Sequence, residues 1–211
     1  MYAPGRVGVF GGTFDPIHVG HLIVADVLRS ALKLSEVRFL PAGRPPHKPD
    51  QQLSSDHDRV AMLGLALQDC PRFTISTMEI ERAGPSYTAD TVQSIRRDLS
   101  PESELYFLMG QDSLRDLPTW HQPWRIVDHA RIGVALRPGV DVVLTDVFEA
   151  MPSARGRIDL VSVPLIGISS SDIRKAVASG GPIRFQVPPA VADYIQAHGL
   201  YLQYAATTPS G

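Results

Sequence analysis

Short apolar, β-branched runs alternate with segments of helical period along most of the chain, and this alternation restricts the fold more than any other feature. The runs are RVGVF from Arg6, VRFLPAG from Val37, RFTISTMEI from Arg72, ELYFLMG from Glu104, RIGVALRPG from Arg131 and IDLVSVPL from Ile158, each expected as a strand. Apolar residues recur at helical spacing from Val19 to Leu32, in DRVAMLGLALQD, in SYTADTVQSIRRDL and in WRIVDHA. ELYFLMG is apolar almost throughout, as a strand covered on both faces must be. The alternation predicts an α/β, Rossmann-like fold: a mostly parallel sheet flanked by helices, with right-handed crossovers. Helices at SSSDIRKAVAS and PPAVADYIQAHG, the second stopped by Gly199, add a small C-terminal helical part from about residue 168. The stretch from Asp141 to Gly156 shows no readable pattern. Ligands of such sheets bind beyond the carboxyl ends of the strands, near a topological switch point. Function is therefore expected in the loops after RVGVF, VRFLP, ELYFLM and IDLVSV.

A chain of 211 residues with 44% apolar content suits one domain, expected over residues 1–204, with 205–211 as a disordered tail. The net charge of −2 provides no field for a nucleic acid or an anionic membrane, so neither is expected as a partner. Any anion must be held by a local cluster of donors. No apolar run approaches the ~20 residues of a membrane helix, and Arg6 and a turn stand where a secretory apolar segment would lie. The single cysteine, Cys70, excludes an internal disulfide and is expected as a small buried apolar residue. These features predict a cytoplasmic protein.

The first loop carries the sequence GGTFDPIHVGH, Gly11 to His21. The glycines form neither a P-loop nor a dinucleotide fingerprint. What remains is a strand, a Gly11–Gly12 turn, then Thr13, Phe14 and Asp15 before a helix whose free N–H groups can receive an anion. His18 and His21 stand three apart at the helix start and can face one bound group. Three readings of them compete: a structural pair, metal ligands, or donors to phosphate oxygens. Zinc asks for three or four ligands, and no accompanying His, Cys or Glu pattern supplies the others, so no protein-held metal is expected. Near the other end, GISSSDIRKAV places Ser170 and Ser171 at a helix start and Arg174 one turn in. Alone, this reads first as a well-capped helix, with a second anion site as the alternative.

GGTFDPIHVGH resembles the [HT]-x-G-H signature of the nucleotidylyltransferase superfamily, and ISSSDIR resembles its second signature, I-S-[ST]-[ST]-x-[IV]-R. The resemblance implies that Gly11, Gly12, Thr13, Phe14, His18 and His21 bind the triphosphate of a nucleotide, with Ser170, Ser171 and Arg174 closing on its β- and γ-phosphates. Within the superfamily, PPHK (Pro45–Lys48), PSYTADT (Pro85–Thr91), GQDSLRDLPTWHQ (Gly110–Gln122) and HGLY (His198–Tyr201) are similar to bacterial nicotinate-nucleotide adenylyltransferases. That similarity implies that Thr88, Trp120 and the backbone at His121 hold a nicotinate ring and its carboxylate. Many relatives carry an aromatic residue where His121 stands. The residues agree: an indole in a loop after a buried strand favours stacking on a flat ligand, although capping the core is the alternative. Asp112, just past ELYFLMG, is placed to accept ribose hydroxyls, or to cap a helix. Lys48 and Arg137 read as surface charges unless a ligand recruits them.

The implied reaction joins ATP and nicotinate mononucleotide into nicotinate adenine dinucleotide, with loss of pyrophosphate. The attacking phosphate is already anionic, so the chemistry needs two repelling anions held together rather than a general base. His18, His21, Lys48 and Arg174 are the expected catalytic residues, with Mg²⁺ arriving on ATP. A homo-oligomer is compatible with this reading, and another adenylyltransferase, with nicotinamide mononucleotide or phosphopantetheine as acceptor, is the alternative.

Overall fold

Strands Arg6–Gly12 (β1), Glu36–Pro41 (β2), Phe73–Ile75 (β3), Glu104–Gly110 (β4), Arg131–Leu136 (β5) and Ile158–Ser162 (β6) form one sheet in the order β3-β2-β1-β4-β5-β6. Every pairing is parallel, with Val9 of β1 opposite Arg38 of β2 and Phe107 of β4. The computed structural model describes residues 5–43, 53–82, 84–138 and 144–204. Lys48 and the expected tail at 205–211 lie outside these described residues.

The helices are Val19–Ala31 (α1), Asp56–Leu67 (α2), Met78–Glu81 (α3), Thr88–Asp98 (α4), Gln111–Asp116 (α5), Trp124–His129 (α6), Thr145–Ala150 (α7), Ser170–Ala178 (α8) and Pro189–Ala197 (α9). The two-residue strand period sorts the core. Phe10, Phe39 and Leu108 join Ala25 and Leu28 of α1, Met62 and Leu63 of α2, Ile173 of α8 and Val191 of α9 in one buried cluster. Their neighbours Val9, Leu40 and Phe107 join Val92 and Ile95 of α4, Leu114 of α5, Ile126 of α6 and Val147 of α7 in the other. The sheet is thus covered on both faces, as the apolar run of β4 requires, and the C-terminal helices complete one cover. Gly199, with φ of +60°, ends α9 in a conformation that glycine adopts without strain.

Three expectations need correction. RFTISTMEI is a strand only over Phe73–Ile75: the Ser76 N–H still reaches Phe39 O, but the Ile80 and Glu81 N–H groups turn back to Thr77 O and start α3. The unreadable stretch holds α7, whose Val147 is buried in the second cluster. Cys70 is a free, half-buried thiol in the turn before β3, not a core residue.

Candidate active site

The chain winds off in opposite directions from β1 and β4, which are neighbours, so their carboxyl ends are the switch point of the sheet. A cavity of about 480 Å³ opens there. Gly11 and Gly12 line it from the end of β1 and Thr13 from the loop that follows, Phe107 to Gly110 from β4, and Thr88, Trp120 and His121 from beyond the strands. The acceptor residues expected from the sequence therefore share one cavity with the glycine turn. Trp120 is half-buried and meets the edge of Phe107, ring centroids 6.2 Å apart at 82°, while the more exposed His121 lies against Tyr87 at 4.2 Å. Thr88 is the first residue of α4, so a helix N-terminus faces the cavity.

The loop leaving β1 is built around buried groups. Gly12 has no room for a side chain, since a Cβ would lie 2.9 Å from the Phe14 ring. Phe14 is sealed in the core, 1% exposed, with φ of +49°, and packs edge-on against Phe10 and His21. Only its backbone can meet a ligand. His18 is buried, and its ring stacks on that of His21 with centroids 3.6 Å apart. The His18 N–H donates to Nδ1 of His21 at 3.3 Å, which leaves the proton of the neutral His21 ring on Nε2. Burial drives the pKa of His18 down to about 4. Burial, and then the neighbouring His18, push His21 well below the ordinary histidine value. Gly20 makes the stacking possible, because a Cβ there would stand 2.9 Å from His18 Nδ1.

The second signature packs onto this same loop. Ser169, rather than Ser170, caps α8, its Oγ accepting from the Asp172 N–H at 3.1 Å. Ser170 Oγ donates to Pro16 O at 2.9 Å. Arg174 is 3% exposed, and its guanidinium donates to Asp15 O at 2.5 Å, Ser171 Oγ at 3.2 Å and Tyr204 OH at 2.9 Å. Asp15 is fully buried, its carboxylate accepting from Tyr201 OH at 2.6 Å and the Ser54 N–H at 3.1 Å. From α2, Arg59 (1% exposed) donates to Thr13 O at 2.9 Å and pairs with Asp56. Among the described residues three buried side-chain nitrogens lack a partner: His18 Nδ1, Arg59 Nε and Arg174 Nε. All three flank the β1–α1 loop. Unpaired buried polar groups are rare, and their gathering around one loop singles that loop out as a candidate site.

The structure brings Gly11, Gly12, Thr13, Thr88, Trp120 and His121 into the cavity, while His18, His21, Ser170, Ser171 and Arg174 cluster around the loop that leaves it. Asp112 is not among the cavity-lining residues; it pairs at 3.1 Å with Arg137, and both are more than half exposed. Ser113 and Asp116 of α5 line the cavity instead. Sequence reasoning also missed Glu79, a buried carboxyl lining the cavity whose pKa burial raises despite hydrogen bonds from Thr91 and the Gly43 N–H. No local pattern marks it, because the sequence of α3 reads as a continuation of strand. Among the described residues no three His, Cys, Asp or Glu side chains gather as a metal-holding group, and no helix is long and apolar enough to cross a membrane.

A parallel sheet of order 3-2-1-4-5-6, with a glycine turn at its switch point and a histidine pair on the loop that leaves it, fits a nucleotidyltransferase of the cytidylyltransferase-like class, whose family model matches residues 9–176. A probable nicotinate-nucleotide adenylyltransferase of Thermomicrobium roseum is 56% identical over 97% of this chain and 95% of its own, and one of a Roseiflexus species is 46% identical over 92% and 97%. The chain belongs to the nicotinate-nucleotide adenylyltransferase family. In fold it resembles the nicotinic acid mononucleotide adenylyltransferase of Plasmodium falciparum complexed with NaAD, with a TM-score of 0.74 at 22% identity over 93% of this chain and 97% of that one.

Proposed function

We propose that this chain transfers the adenylyl group of ATP to nicotinate mononucleotide, giving nicotinate adenine dinucleotide and pyrophosphate. The observation that carries the reading is the single cavity joining the glycine turn of β1 to Thr88, Trp120 and His121. The Gly11–Phe14 backbone and His21 Nε2–H face the triphosphate, which enters as its Mg²⁺ complex. Arg174 and Ser170 hold the loop through Asp15 and Pro16 while Ser171 accepts from the Arg174 guanidinium, and Arg174 with Lys48 supplies the positive charge that the neutral histidines lack. The mononucleotide lays its pyridine ring on Trp120 and its carboxylate at the N-terminus of α4 and the amide of His121. Its phosphate then attacks the α-phosphorus in line, and pyrophosphate leaves. Asp112 serves the ribose hydroxyls from the rim. The reaction belongs to the cytoplasm and involves neither nucleic acid nor membrane, and the chain works alone or as a homo-oligomer.

The test is product identity. Purified protein with MgATP and nicotinate mononucleotide should form pyrophosphate and the dinucleotide in equal amounts. Pyrophosphate without dinucleotide, or neither product, would overturn the reading.

A further inference from the structure

Thr88 and the Trp120–His121 pair come from separate segments, so something must hold the two sides of the cavity in register. One guanidinium spans them. Arg125, the second residue of α6, donates from Nη1 to Asp90 Oδ1 at 2.8 Å and to Gln122 Oε1 at 2.7 Å, and from Nη2 to Gln93 Oε1 at 2.5 Å. Asp90 and Gln93 lie on α4, Asp90 two residues beyond Thr88. Gln122 directly follows His121 and takes φ of +49°, a conformation a glutamine adopts only when its surroundings impose it. Arg125 is not itself a lining residue of the cavity. Its planar fork, with donors in fixed directions, sets relative geometry in a way a flexible ammonium cannot.

We infer that Arg125 is a positioning residue for the acceptor: it holds Trp120 and His121 against the start of α4, and so sets affinity for the pyridine mononucleotide without touching it. The inference rests on the acceptor reading given above. Global stability has another source, since Val92 and Ile95 of α4 pack with Ile126 and Val127 of α6 in the buried core. Removing the fork therefore loosens the cavity rather than the fold.

The experiment measures KM for nicotinate mononucleotide and for ATP separately, with kcat and Tm, for wild type, Arg125→Ala, Arg125→Lys and Asp90→Asn. Arg125→Ala should raise the acceptor KM about tenfold, with ATP KM and kcat within about twofold, the signature of lost ground-state binding. Arg125→Lys should recover less than half of that loss on a logarithmic scale. Adding Asp90→Asn to Arg125→Ala should cost nothing further, because the two residues share one contact. Should Arg125→Ala not accumulate folded, Gln122→Ala, which removes a single acceptor of the fork, should raise the acceptor KM about threefold. An unchanged acceptor KM, or an ATP KM that rises in step with it, would overturn this inference alone. A wild type that releases no pyrophosphate would overturn it together with the acceptor reading.

Discussion

The imidazoles of His18 and His21 lie stacked, 3.6 Å between centroids and 24° between planes, with His21 Nδ1 accepting the His18 N–H. Two imidazolium ions could not share this arrangement, and burial lowers both pKa values. At neutral pH the signature histidines are uncharged, so a phosphate held by them would be held by oriented N–H dipoles rather than by imidazolium charge.

That neutrality makes stability depend on pH. His18 titrates near 6.5 when unfolded and at about 4 in the fold, so between those values the unfolded chain binds more protons and stability falls as pH falls. From pH 7 to pH 5 this one group should cost about 2 kcal/mol. Urea unfolding across that range checks it: the midpoint should drop for the wild type and stay flatter for His18→Gln. A midpoint independent of pH would mean that His18 is not buried neutral.

Removal of the His21 donor should reduce kcat by ~10²–10³, the loss typical of one preorganised donor to a transition-state oxygen. The measurement is kcat of His21→Ala at saturating substrates. A nearly normal kcat would assign the stacked pair a purely structural role.

Gly20 tests the pair from behind. Gly20→Ala places a methyl 2.9 Å from His18 Nδ1 and 3.2 Å from Ile166 Cγ2. The substitution should destabilise by roughly 1–3 kcal/mol, as overpacking does, and raise the ATP KM more than the acceptor KM. Equal stability by calorimetry would show that the ring has room to move.

The sheet was legible because alternation and strand length are local properties of sequence. Three of the four loops expected to carry function, those after β1, β2 and β4, contribute residues to the cavity, while the loop after β6 leads to α8. What stayed hidden depends on distant partners. Nothing near Asp15 announces Tyr201, 186 positions away, and nothing near Arg174 announces the carbonyl it holds, 159 positions away. TMEI continues a strand-like run, yet β3 stops after Ile75 and Met78–Glu81 forms α3, with Glu79 buried. The place of Asp112 just past a strand is legible, but its pairing with Arg137 is set by the end of β5.

Trp120 should act on ring affinity alone. Stacking on a heteroaromatic contributes ~1–3 kcal/mol and does not read the ring substituent. Trp120→Ala should therefore weaken nicotinate and nicotinamide mononucleotides by similar factors, measured as kcat/KM. A loss confined to the acid would place the carboxylate, not the ring, on the indole.

Substrate choice tests the account most directly. The N-terminus of α4 at Thr88 and the backbone at His121 offer N–H groups, which suit both oxygens of a carboxylate and oppose the NH₂ of a carboxamide. Hydrogen bonds to a charged group contribute ~1.5–3 kcal/mol each, so two such contacts imply an acid-over-amide preference on the order of 10²-fold or more in kcat/KM. The measurement is kcat/KM for pyrophosphate release from MgATP with nicotinate mononucleotide, nicotinamide mononucleotide and phosphopantetheine in parallel. The account predicts the acid first by at least that factor; equal efficiency on acid and amide, or a preference for phosphopantetheine, would contradict it.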